Sequence, residues 1–249
     1  MYTRTNARAE EIGALICDTG GTIFDWHEAV AAGFARVGSA RGVRADWSAL
    51  TKTWRKLSTT MVDVGLPTKN GRVTVDMDDV LLTTLLQTLE AYSVTGFADD
   101  DFRELVRAWR QMKPWPDILS AIPRLRGKFM VAPFTILKAA LVIEASRSAG
   151  LSWDAVISCE MIGIYKTHPA TYETAARWLG QSHDRMLLVT THNNDLEAGH
   201  RFGFKTAYVY RPHEWHDIPS LDPEPSKFAD YVAQDFNDLA DQLGVPRAM

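Results

Sequence analysis

The stretch Ala14-Leu15-Ile16-Cys17-Asp18-Thr19-Gly20-Gly21-Thr22-Ile23-Phe24-Asp25-Trp26 decides how the rest of the chain is read. Ala14 to Cys17 form an unbroken apolar run that enters Asp18, and Gly20 and Gly21 follow. Such a run, bounded by glycines, reads as a strand buried on both faces of a parallel sheet. In open parallel sheets, ligands lie beyond the carboxyl ends of the strands. Asp18 would stand at that end, beside glycines that let a ligand come close to the backbone. A carboxylate there is a candidate nucleophile. On this stretch alone, an Asp that caps a turn is the competing reading.

Downstream, helical patterns fill the chain to about Met112. They cover about His27 to Arg41, Asp46 to Val64, Val75 to Val94 and Asp99 to Met112. In the second, Trp47, Leu50, Trp54 and Leu57 recur three or four residues apart, on one helical face. Gly65 to Gly71 reads as a loop. The fourth begins on acidic residues, which suit a helix N-terminus, and Pro114-Trp115-Pro116 closes it. Strand and helix then alternate. Strands are expected at Lys128–Thr135, Ala155–Cys159, Arg185–Thr190 and Lys205–Tyr210, with helices to about Ala149, over Pro169–Leu179 and over Leu196–Phe202. Arg211 to Ser226, rich in Pro, His and Asp, reads as a surface loop, and Tyr231 to Leu243 as a last strand and helix. Repeated βα alternation implies a parallel sheet with helices on both faces. The fold class is therefore α/β: a Rossmann-like core, residues 10–25 and 115–249, with an inserted α-helical cap, residues 26–114.

A net charge of -4 gives no reason to expect nucleic acid or a membrane surface as partner. No apolar run reaches the roughly 18 residues of a membrane span. Met1 to Glu11 is polar, without the apolar core of a signal peptide. Cys17 and Cys159 each sit in apolar surroundings and read as reduced core residues of a cytoplasmic protein. The expected partners are a small carboxylic acid substrate and, as an assembly, a homodimer.

Thr135, Lys166 and the segment Thr190 to Asp195 follow the later strands. In a parallel sheet these positions converge near Asp18. A lysine beside Asp18 would hold it ionised, since a nearby opposite charge favours the charged form.

These residues also resemble a known family. Asp18-Thr19-Gly20-Gly21-Thr22 is similar to the first motif of the haloacid dehalogenase superfamily, Asp-x-x-Gly-Thr, in which the Asp attacks substrate. Phosphatases of that superfamily carry a second Asp, the general acid, where this chain has Gly20. The 2-haloacid dehalogenase branch resembles the chain more closely, over about Leu15 to Trp215. Thr135 falls on its Ser, Lys166 in Tyr165-Lys166-Thr167 on its Lys, and Tyr172 on its functional Tyr. Thr190-Thr191-His192-Asn193-Asn194-Asp195 resembles its last motif, and Trp54-Arg55 its cap Trp-Arg.

The resemblance implies that Asp18 attacks the α-carbon, Lys166 keeps Asp18 ionised, Asp195 and His192 position water, and Thr22 supports the carboxylate. Arg55 would grip the substrate acid, an arginine fork being suited to a carboxylate. Thr19, Gly20, Thr135, Ile136, Leu137, Tyr172, Thr190 and Thr191 complete the expected substrate site. Phosphatases of the superfamily bind magnesium through an Asp-x-x-x-Asp pair whose first member falls here on Thr191. One acid beside Asp18 is a poor magnesium site, so neither metal nor cofactor is expected.

The chain departs from the branch in three places. Gly20 replaces an aromatic residue, Thr167 a Pro, and Ile136-Leu137 an Asn-Gly. The leading substrate is an (S)-2-haloacid. The alternative is azetidine-2-carboxylate, opened at its ring C–N bond to a 2-hydroxy-4-amino acid, with Tyr172 or His192 as proton source. A metal-dependent phosphatase is third.

Overall fold

The run ahead of Asp18 forms β1 (Ala14–Cys17), fully buried, in a computed structural model that describes residues 11–247. Leu15 and Cys17 join the side chains packed on one face of the sheet, Ala14 and Ile16 those on the other. This is the alternation of an extended chain, and it explains why the run has no polar interruption. The segment before Glu11, read above as lacking a signal core, lies outside the described residues.

A short strand, β2 (Phe24–Asp25), follows the Asp18 turn, then α1 (His27–Arg41) and α2 (Trp47–Val64). The Asp46 side chain caps α2 by accepting the Ala49 N–H, relieving one of the unpaired donors of the first turn. A hairpin of β3 (Thr68–Lys69) and β4 (Arg72–Val73) leads to α3 (Met77–Ala91) and α4 (Asp99–Ala108). β5 (Lys113–Pro114) then pairs antiparallel with β2. The helical segment thus leaves and rejoins the rest of the chain through two neighbouring strands. Trp54 anchors α2 to α3 by donating its indole N–H to the Leu81 carbonyl at 2.8 Å.

The remainder runs α5 (Ile118–Arg126), β6 (Met130–Thr135), α6 (Ala139–Ser148), β7 (Ile157–Ser158), α7 (Cys159–Ile162), α8 (Pro169–Trp178), β8 (Met186–Thr190), α9 (Asn193–Phe202), β9 (Lys205–Val209), β10 (Tyr231–Ala233) and α10 (Phe236–Gln242). The six-stranded sheet has the order β10-β9-β8-β1-β6-β7. Every neighbouring pair in it is parallel. This is the expected α/β, Rossmann-like core. β1 lies between β6 and β8, so its carboxyl end opens where connections run off in both directions, the usual ligand crevice of such sheets. Among the described residues, no helix is long and apolar enough to cross a membrane.

The structure corrects four readings of the sequence. Helix α5 was not expected, because Pro116 and Pro123 hid it; its buried Ile118, Ala121, Ile122 and Leu125 have helical spacing. The Gly65–Gly71 loop contains one arm of the β3–β4 hairpin. Asn70 and Gly71 both have positive φ, 54° and 74°, the signature of the tight turns that Asn-Gly favours between strands. α9 begins at Asn193 rather than near Leu196, which puts Asp195 in its first turn. Finally, the stretch Arg211–Ser226 is only partly a surface loop. Arg211, Glu214 and Trp215 are buried, and Arg211 forms a two-pronged pair with Asp117 at 3.0 and 2.9 Å. Cys17 and Cys159 are buried and free.

Candidate active site

Asp18 continues the line of β1, its N–H bonded to Val189 O at 2.9 Å, and its side chain emerges at the strand end. Each of its carboxylate oxygens is held. Lys166 Nζ donates to Oδ1 at 3.0 Å. Thr22 Oγ1 donates to Oδ2 at 2.9 Å, and His192 Nδ1 lies 3.2 Å from the same oxygen. Burial alone would raise the Asp18 pKa. The Lys166 ammonium and the His192 imidazolium more than reverse this and hold it well below the usual carboxylate range. Thr22 also ties the turn to the neighbouring strand, because Oγ1 accepts the Thr191 N–H at 3.1 Å.

Lys166 is buried between two carboxylates, also donating to Asp195 Oδ2 at 2.7 Å. Burial opposes its charge, but Asp18 and Asp195 raise its pKa overall. Asp195 is placed by the first turn of α9, where a carboxylate is favoured by the helix dipole. Its other oxygen accepts the Tyr172 hydroxyl at 2.7 Å.

Above Asp18 is a cavity of about 200 Å³. Asp18, Thr19, Gly20, Arg55, Ile136, Leu137, Lys166, His192 and Asp195 line it, so the structure brings most of the expected residues together. Arg55 reaches in from α2 and donates Nη2 to the Gly20 carbonyl at 3.1 Å. It is buried, and its Nε has no hydrogen-bond partner among the described residues. Arg55 also lines the cavity, where its guanidinium could pair with a planar ligand such as a carboxylate.

Four expected substrate contacts stand behind the lining instead. Thr135 Oγ1 is 2.5 Å from Thr19 Oγ1. Thr190 Oγ1 accepts the His192 N–H at 3.1 Å. Thr191 is bonded through its N–H to Thr22, and Tyr172 is fully buried against Asp195. Apart from the Thr191 hydroxyl, which has no hydrogen-bond partner among the described residues, the polar atoms named here are turned to protein partners and so hold the residues that face the cavity.

Sequence reasoning missed Glu214, Asp63, Trp215 and Asp222, all of which line the cavity. Glu214 Oε1 is 3.0 Å from His192 Nε2 and accepts the Trp26 indole N–H at 3.2 Å. Burial would raise its pKa, but His192 outweighs that and lowers it. Burial likewise pushes His192 down, while Glu214 and Asp18 prevail and hold it up at about 10. Gly21 makes room for Glu214. Its φ is +97°, and a Cβ there would lie 2.1 Å from Glu214 Oε1, so the glycine both makes the turn and admits Glu214.

The place between Asp18 and Asp195, where a cation would neutralise both, is filled by the Lys166 ammonium. Among the described residues no group of His, Cys, Asp and Glu could hold a metal ion.

No family model matches the chain. It is 28% identical over 204 residues to the (S)-2-haloacid dehalogenase of Xanthobacter autotrophicus, spanning 80% of this chain and 76% of that one. It is 24% identical over 205 residues to (S)-2-haloacid dehalogenase 4A of Burkholderia cepacia, spanning 81% and 84%. Among solved structures, a defluorinating L-2-haloacid dehalogenase superposes with a TM-score of 0.88 at 28% identity, covering 98% of this chain and all of the other.

Proposed function

Because the chain belongs to the 2-haloacid dehalogenase branch of the haloacid dehalogenase superfamily, we propose that it is a hydrolase that displaces halide from the α-carbon of a small (S)-2-haloacid. The observation that carries this reading is Asp18 itself. It is an ionised carboxylate at the floor of a small cavity, steadied on both oxygens, with the buried Arg55 fork facing the same space.

Arg55 would take the substrate carboxylate and so aim the α-carbon at Asp18, converting an encounter into a held near-attack geometry. An Asp18 oxygen displaces halide from the face opposite the leaving group and forms an ester. Water then attacks the ester carbonyl carbon, and the bond between that carbon and the substrate-bearing oxygen breaks. The product is a 2-hydroxy acid and Asp18 is regenerated, the two-stage logic of covalent catalysis. Because only the first step touches the α-carbon, (S)-2-chloropropionate gives the (R)-hydroxy acid.

A second reading has its own observation. Asp63 and Asp222 line the cavity, and negative charge there suits a substrate that carries an ammonium group beside its carboxylate. Azetidine-2-carboxylate is such a substrate. Its protonated ring nitrogen would leave as a neutral amine when Asp18 attacks the adjacent carbon.

The test is a product screen with 2-chloropropionate, fluoroacetate and azetidine-2-carboxylate, measuring halide, amine and 2-hydroxy acid separately. Equimolar halide and 2-hydroxy acid are expected. Turnover of azetidine-2-carboxylate alone would select the second reading. Hydrolysis of a phosphate ester with no reaction on any of the three acids would refute both.

A further inference from the structure

From the placement of Glu214 we propose that it is the positioning residue of a His192–Glu214 dyad, in which His192 is the general base for hydrolysis of the Asp18 ester. This rests on the ester mechanism above and adds the identity of the group that activates water.

The geometry is that of a histidine held between two carboxylates. Nε2 is 3.0 Å from Glu214 and Nδ1 is 3.2 Å from Asp18 Oδ2. Glu214 is itself fixed, being 2% exposed, bonded to the Trp26 indole and seated in the space that Gly21 leaves by lacking a side chain. A carboxylate so placed fixes both the ring orientation and the nitrogen that stays protonated. Nδ1 is left facing the atoms of Asp18 that react.

The charge of Asp18 then decides when His192 can act. In the resting site both carboxylates are ionised, and the ring is an imidazolium that helps to hold Asp18 as a nucleophile. Ester formation removes the Asp18 charge. Of the groups facing His192, Glu214 still favours the imidazolium, as does the more distant Asp63 on α2. Lys166, beside Asp18, and Arg55, which acts on both Glu214 and Asp63, oppose it. With one of its two close anions gone, the ring's pKa falls and Nδ1 releases its proton to solvent.

The neutral ring takes a proton from water as the water oxygen bonds to the ester carbon. When the tetrahedral species collapses, Nδ1–H protonates the departing alkoxide. The Asp18 carboxylic acid then returns its proton to Nδ1, restoring carboxylate and imidazolium. The sum for this half-reaction is ester and water giving hydroxy acid, free carboxylate and one proton to solvent.

The test is Glu214→Gln, which keeps the size of the side chain, compared with wild type on 2-chloropropionate. Three quantities are read: halide released in the first turnover, intact protein mass during turnover, and the pH dependence of kcat. The expected result is a halide burst close to one equivalent, accumulation of the Asp18 adduct, and a fall in kcat of roughly 10²-fold, the usual scale for losing a well-placed general base. Removing the Glu214 charge lowers the pKa of His192, so the acid limb of kcat moves to lower pH. His192→Gln accumulates the same adduct, and adding Glu214→Gln to it produces little further loss, as for residues acting as a unit. Unchanged mass and an unmoved acid limb in Glu214→Gln would overturn the dyad while leaving the ester mechanism standing. If wild type releases no halide, the functional reading fails and the dyad fails with it.

Discussion

Replacing Lys166 with Met removes one ammonium and little volume, and its consequence can be worked from the site. Lys166 is buried and neutralises Asp18 at 3.0 Å and Asp195 at 2.7 Å. Removing one partner of a buried ion pair costs about 3–5 kcal/mol, because the remaining charge is stranded. For a chain of this size, each kcal/mol is worth roughly 2–4 °C in Tm, so Lys166→Met is expected to melt roughly 6–20 °C below wild type near neutral pH. Asp18 keeps Thr22 and His192 as partners, whereas among the described residues the Asp195 side chain keeps only the Tyr172 hydroxyl. The strain therefore falls mainly on Asp195.

The pH dependence has a definite sign. In wild type the Asp18 pKa is depressed by folding, so its stabilisation is present above the unfolded carboxylate pKa and is lost only as pH falls through the lower, folded value. In the variant, a stranded carboxylate has a raised folded pKa, so the folded state binds a proton first and gains stability on acidification. Circular-dichroism melts of both proteins at about pH 7.5 and about pH 5.5 would show the Tm gap narrowing at the lower pH. Turnover falls by at least roughly 10²-fold, the scale for losing one preorganised electrostatic partner. A Tm near that of wild type at neutral pH, or a gap that widens with acid, would refute the reasoning.

Arg55→Ala is expected to raise KM and lower kcat for every acid tested, since the role proposed for the guanidinium is both to bind and to aim the substrate; steady-state kinetics on two acids of different leaving group check this, and a loss confined to one acid contradicts it. Ile136→Asn, at a half-buried cavity position, is expected to change the ratio of kcat/KM between a haloacid and azetidine-2-carboxylate rather than scale both equally, because a polar group in a pocket discriminates more strongly than a methylene. Leu137 is a poorer site for the same experiment, being 1% exposed and part of the core. Exhaustive chelation is expected to leave turnover unchanged, because the Lys166 ammonium already pairs with both Asp18 and Asp195; loss with EDTA and recovery with magnesium would contradict that expectation.

Much of the fold was legible in the sequence because its cues are local. The run Ala14 to Cys17 announces a strand buried on both faces, and α1 and α2 announce themselves by helical spacing and by the Asp46 cap. What was hidden has local cues that contradict the tertiary outcome. Pro123 argues against a helix that packing on Ile118, Ala121, Ile122 and Leu125 nevertheless supports. The site divides in the same way. Asp18, His192 and Asp195 are polar residues close to strand ends, and Lys166 follows β7 through the short helix α7, so the topology brings them together. Glu214 lies in a stretch with the composition of a surface loop, and the long-range contacts of Arg211, Trp26 and His192 draw it inward. Thr135, Tyr172, Thr190 and Thr191 sit near the cavity as expected, yet the hydroxyls of the first three and the Thr191 amide face protein partners. Orientation of that kind is set by packing and is not written in spacing.

The central claim is that Asp18 attacks the substrate and that water attacks Asp18. A single turnover of 2-chloropropionate in oxygen-18 water, with enzyme in excess, tests it directly by mass analysis of the peptide that contains Asp18. The account predicts one heavy oxygen in the Asp18 carboxylate and unlabelled hydroxy acid in that first turnover. Heavy oxygen in the product with none in Asp18 would mean that water attacks the α-carbon itself, and would contradict the account.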